Sequence, residues 1–317
     1  MGLSLQRLPP VIVPLLLAVA VLGYLTGLQR VSATPAAQAP AGEERVAAGA
    51  DLSLEYPSGW RQQAGAKEIP GMALEHPLFL APAGTGVQAG LEAGVLAGTS
   101  PGPLPASLVG RLRGLPSVEV VGLVALQALR YNDVSLSGYT QALELYAIPT
   151  PVGAETVLAC HAPAADARLL RRCGEIVATL SLAGQSTSDI TPDSAYGARL
   201  GALVDALDGA RRQARLRMGR AGAPALVAAL AGGLARRLAA TAVNLGHLEA
   251  PPVAAAAQVL LLRSMADAGG AYEQLARAAR SHSAAAFGRV RAGVARAEAA
   301  VDRALENFAL LGYGRAY

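Results

Sequence analysis

The chain has 317 residues, 52% hydrophobic but only 4% aromatic, with a formal net charge of +4 at pH 7. That length accommodates two compact domains. The charge is uneven, −3 over residues 51–185 and +6 over 186–317, with acids mixed among the bases throughout, which favours a split near residue 185 and argues against nucleic acid as a partner. Lys67 stands alone against 26 arginines, and Ala and Gly are abundant. A GC-rich coding sequence explains that bias, so the pI of about 9.3 carries little functional weight.

Between Arg7 and Arg30 no residue is charged, and the run from Val11 to Leu22 is almost wholly apolar. At ~1.5 Å per residue such a helix reaches ~33 Å, enough to cross a hydrocarbon core. Residues 8–29 are therefore expected to be a transmembrane anchor, the only span of its kind. Arg7 favours a cytoplasmic N-terminus, with everything beyond the span extracytoplasmic, although Arg30 weakens that bias. Val31-Ser32-Ala33 offers the competing reading, a signal peptide cleaved after Ala33. The run is longer than an ordinary signal core, which favours the uncleaved anchor. No Cys lies near it, so a lipid-modified anchor is excluded. Gly23 and Gly27 form a small-xxx-small pair that would suit a homo-oligomer through the span. Residues 30–50 are read as a flexible linker, because they lack an apolar period and contain Pro35 and Pro40.

Residues 51–185 predict an α+β domain. Leu52-Ser-Leu-Glu-Tyr56 alternates at period two and stops at Pro57-Ser-Gly. Further strands are expected at 94–97, 118–121, 126–131, 141–148 and 155–161. Pro105 to Arg113 predicts a short helix. Ala164 to Leu180 predicts a longer one, with Leu169, Leu170, Cys173, Ile176, Val177 and Leu180 on one face. Consecutive strands with few helices point to a mainly antiparallel sheet.

The run Leu52-Ser-Leu-Glu-Tyr-Pro-Ser-Gly-Trp60 resembles the opening of PsbP-like domains, in which an apolar strand enters a Tyr-Pro-x-x-Trp turn. The ending, Val157 to Pro163 and then Arg172 to Leu180, is similar to exported actinobacterial members that pair a last-strand Cys with one in the final helix. The resemblance spans about 130 residues. It implies an α-β-α sandwich used for protein or ligand contacts, without catalysis. The Gly-rich stretch from Ala81 to Gly102 departs from the family pattern and leaves the middle of the sheet open.

Residues 190–315 predict four amphipathic helices in an up-down bundle with coiled-coil-like packing. Thr191-Pro-Asp-Ser194 is a start signal, with Thr191 as the cap. Tyr196, Leu200, Leu207 and Met218 then follow at helical spacing. Pro224 and Pro251-Pro252 open the second and third helices, and Ser281-His-Ser283 precedes the fourth, whose apolar face includes Phe287, Val294 and Leu305. Gly232-Gly233 and Gly269-Gly270 predict either close helix approach or local breaks.

The chemistry-bearing residues are few. Cys160 shares strand parity with Leu158, and Cys173 lies on the apolar helix face, so a helix packing on the preceding strand joins them. Outside the cytoplasm the pair predicts a structural disulfide. His76, His161, His247 and His282 show no ligand spacing and read as surface or loop residues. A metal shared by Cys160 and His161 is disfavoured because adjacent strand residues face opposite sides. Ser58, Ser137 and Ser181 lie in no nucleophile elbow. Gly84 to Gly90 imitates a dinucleotide loop but follows no clear strand and opens no helix. Arg211, Arg212, Arg215, Arg217 and Arg220 form the densest basic patch, read as a solvated face paired with Asp208. Arg211, Arg212 and Arg215 are its candidates for contact with an anionic lipid or envelope polymer. The expectation is a non-catalytic, membrane-tethered binding or scaffold protein of a bacterial envelope, with a protein or envelope ligand as partner and no cofactor or metal. The alternative is an extracytoplasmic hydrolase.

Overall fold

The computed structural model describes residues 44–314, apart from 50–51, 66–67, 98–101, 150–154, 165, 185–188 and 282–283. The expected span at 8–29, its Gly23 and Gly27, the cleavage site at Ala33 and most of the linker lie outside the described residues. The protein is α+β, with antiparallel sheets followed by a helical region.

Six of the strands overlap stretches expected from the sequence: β2 (Leu52–Pro57), β5 (Gly90–Leu96), β6 (Ser117–Gly122), β7 (Gln127–Asn132), β8 (Ala142–Pro149) and β9 (Glu155–Ala162). Four others add to them: β1 (Glu44–Gly49), β3 (Trp60–Gln63), β4 (Leu74–Pro82) and β10 (Ser181–Leu182). β1 corrects the linker reading at its end, since residues 44–49 pair antiparallel with β2. β4 escaped the alternation because Glu75-His76-Pro77 interrupts it. Its register shifts between Glu75 and Leu78, and His76 sits at φ +49°. A bulge accommodates Pro77, which has no N–H to give a ladder.

β1, β2 and β10 form one small sheet, and the large sheet runs β3-β4-β5-β9-β8-β7-β6. All its ladders among the described residues are antiparallel. β9 is central, and every residue from Thr156 to Ala162 is buried. A strand covered on both faces has no reason to alternate polar and apolar, which explains its nearly continuous apolar run.

One face of the large sheet carries Leu80, Leu91, Tyr146, Leu158 and Cys160. It packs with the small sheet and with α2 (Ala167–Val177), through Cys173, Ile176 and Val177. The Asp166 side chain caps α2 by accepting from Leu169 N. The other face carries Leu129, Tyr131, Leu145, Val157 and Ala159, which share one apolar cluster with the segment Ile69–Met72, the single-turn α1 (Ala106–Val109) and the C-terminal helices. Gly71, at φ +87°, lets the chain lie against α1. A Cβ there would come 2.5 Å from the Ser107 carbonyl oxygen, and Ser107 Oγ donates to the Gly71 carbonyl at 2.7 Å.

The helical region comprises α3 (Ser194–Arg220), α4 (Pro224–Gly246), α5 (Pro252–Arg280) and α6 (Ala284–Leu310). The cap of α3 is Asp193, not Thr191: Asp193 Oδ1 accepts from Ala195 N and Tyr196 N. Pro224 and Pro252 occupy first-turn positions of α4 and α5, where a missing N–H costs nothing. Gly232-Gly233 and Gly269-Gly270 lie in uninterrupted helix, so no break occurs, and Gly269 faces α4, where a Cβ would meet the Ala235 carbonyl oxygen at an ordinary 3.8 Å. α4 is itself long and apolar enough to cross a membrane by length and composition, which corrects the reading of 8–29 as the only such stretch. Here α4 packs its buried side into the shared apolar cluster.

The helices share their apolar cluster with the sheet. Tyr131 OH donates to the Leu310 carbonyl at 2.8 Å in a fully buried position. Ile190 N donates to Gln127 Oε1 at 3.0 Å. Tyr196, Phe308 and Tyr313 stack in tilted and edge-on pairs within the same cluster. The described residues from Glu44 onward belong to one compact unit.

Candidate functional site

The charged residues of the helical region meet where α3 faces α6. Asp208, Arg211 and Arg215 lie three and four residues apart on α3, and Glu298 and Asp302 four apart on α6, so each set shares a helix face. Arg211 Nη1 donates to Asp208 Oδ1 and to Asp302 Oδ1, both at 2.9 Å, while its Nε lies 3.6 Å from Glu298 Oε1. Arg215 Nη1 donates to Glu298 Oε2 at 3.0 Å. Tyr272 on α5 donates its hydroxyl to Glu298 Oε1. The Arg211 side chain is only 3% exposed. Its burial opposes the charge, but Asp302, Asp208 and Glu298 outweigh it and raise the pKa. Burial, then the hydrogen bond to Glu298, raises the Tyr272 hydroxyl pKa.

Beside this network a cleft of about 450 Å³ opens between the C-terminal part of α3, the start of α4, and α5 and α6. Met218, Val227, Leu275, Phe287 and Val294 supply its apolar wall, and Arg215, Arg291, Tyr272 and Glu298 its polar groups. The volume lies within the range of small-molecule sites, and mostly apolar walls with a few placed polar groups are their usual lining. A second cleft, of about 510 Å³, lies by the N-terminus of α3. Asp189, Asp193, Arg199 and Glu249 are among its lining, and Asp193 is already committed as the cap.

The sequence-predicted residues divide. Cys160 and Cys173 are bridged, with a Cα–Cα distance of 5.8 Å, inside the core between β9 and α2. Closing so short a loop adds ~3 kcal/mol in the chain-entropy account. Of the basic patch, Arg212 and Arg215 are exposed, whereas Arg211 is buried in the ion network. That corrects its reading as a solvated or anion-contacting side chain: Arg211 follows Leu200, Val204 and Leu207 at helical steps on the buried stripe of α3, and the pair of α6 carboxylates lets the charge stay there. His161 is also corrected: it is 2% exposed, and its Nδ1 lies 3.0 Å from Gln141 Oε1. Gly84 to Ala89 forms a turn and one 3-10 turn directly after β4, which corrects the reading that no strand precedes it, and Gly90 opens β5 rather than a helix. No group of three or more metal-ligating side chains occurs among the described residues.

Two carboxylates on the sheet went unnoticed in the sequence. Burial pushes the Glu155 carboxyl up to about 8. Burial and then the nearby Glu68 push Glu92 up to about 7, and Glu92 Oε2 is buried with no partner among the described residues. An acid at the start of a strand or inside one reads as a solvent-facing position, so only the covering layer reveals them.

No protein-family model matches the chain, and no curated protein matches it.

Proposed function

We propose that this protein is a membrane-tethered binding protein acting on the outer face of a bacterial membrane, with no catalytic residue assigned. In this reading residues 8–29 anchor the chain, a PsbP-like α-β-α sandwich follows, and a four-helix up-down bundle closes it. The observation that carries the binding role is the cleft beside Arg215 and Glu298. The bridge between Cys160 and Cys173 supports an oxidising compartment.

Topology tests the tether and the compartment together. A C-terminal reporter that works only outside the cytoplasm should be active, and the product should stay with membranes after a salt wash. Protease protection of the C-terminus in intact cells stripped of their outer layers, or a soluble product starting at Thr34, would overturn the tethered reading.

A further inference from the structure

We infer that the cleft between α3, α5 and α6 holds a single-chain amphiphile with an anionic head, of which a fatty acid is the simplest case. This rests on the binding role proposed above and names the class of ligand. Phe287, Arg291, Val294 and Glu298 follow one another at four, three and four residues along α6 and all line the cleft, so they form one stripe ~16 Å long. The cleft is thus an elongated groove. Met218 and Phe287, the half-buried part of its apolar wall, would stay in contact with water beside a free inorganic anion, whereas an aliphatic chain covers them.

The sign of the head follows from the hydrogen-bond inventory. Both oxygens of Glu298 already accept, one from Tyr272 and the other from Arg215. Arg215 spends one N–H on that bond and Arg291, which is exposed, makes no hydrogen bond or ion pair among the described residues. Each guanidinium has five N–H donors and no acceptor. The lining therefore offers spare donors and cationic charge from two helices, α3 and α6, and its one carboxylate is occupied. A carboxylate or phosphate head at the end of an alkyl chain matches both the wall and the donors.

Three twelve-carbon probes with the same terminal diazirine separate the possibilities: dodecanoate, dodecyltrimethylammonium and dodecanol. Each is photolysed with the full chain in zwitterionic nanodiscs, and the labelled peptides are mapped by mass spectrometry. Dodecanoate should label peptides covering residues 215–219, 272–275 and 287–298 at least tenfold more than the ammonium probe. Arg291→Glu should reduce that labelling about five- to tenfold, and Arg291→Lys should retain most of it. Equal labelling of these peptides by dodecanol or the ammonium probe overturns the anionic head while leaving a binding cleft. No cleft labelling by any probe overturns both this inference and the binding role.

Discussion

Replacing Arg211 with Met tests whether the ion network holds α3 to α6. The substitution keeps an unbranched stem and removes the charge, so it leaves three carboxylates short of a partner. Asp302, whose side chain is 53% exposed, recovers water and loses little. Asp208 is 19% exposed, and Glu298 only 11%, though Glu298 keeps Arg215 and Tyr272. Breaking a buried pair by removing one partner costs about 3–5 kcal/mol when the remaining charge is stranded. Here the retained partners and the half-exposed Asp302 lower that to about 2–4 kcal/mol. For a protein of this size each kcal/mol moves Tm by roughly 2–4 °C, so Arg211→Met should melt about 4–16 °C lower in thermal unfolding followed by circular dichroism at 222 nm. Arg212→Ala, one residue away but exposed, should stay within about 0.5 kcal/mol of the parent. Adding Asp302→Asn to Arg211→Met should cost less than the two changes made separately, since they share an interaction. Equal melting of the Arg211 and Arg212 variants would refute the reasoning.

Burial of Glu155 predicts a pH dependence. Its folded pKa of about 8 lies above the ordinary 4.5, so the folded state binds the extra proton, and stability falls as pH rises from about 4.5 to 8. Ionising it costs the fold on the order of 3–5 kcal/mol above that window. Glu155→Gln should therefore raise the urea midpoint at pH 9 and change it little at pH 4; an equal effect at both would sink the account. Tyr131→Phe strands the Leu310 carbonyl beneath α6 and should cost about 1–3 kcal/mol. It should also speed hydrogen exchange at the C-terminal end of α6, and unchanged exchange there would show that the hydroxyl does not tie the helix to the sheet.

Local periods in the chain were enough to place β2 and β5 to β9, to start α4 and α5 at their prolines, and to select the apolar side of each helix. They also sufficed for the disulfide, because strand parity and a helix face only 13 residues apart place both thiols on the same side with little freedom between them. A period states which side of an element avoids water and is silent about what covers it. β3 and the bulged β4 were invisible because four residues, or a run broken by Pro77, set no period. The burial of Arg211 depends on Asp302, 91 residues away, and no spacing on α3 encodes that encounter. Glu155 and His161 stand at positions that a lone strand would leave to solvent, until the second layer closes over them. The cleft belongs to the same class: Arg215, Tyr272 and Arg291 come from three helices, and only packing brings them to one groove. The chain by itself determined its longer elements and most of their apolar faces, since these rest on backbone geometry and neighbours a few residues apart. Tertiary structure decided the shared core, the buried charges and the site, since each depends on groups distant in sequence meeting where water is excluded.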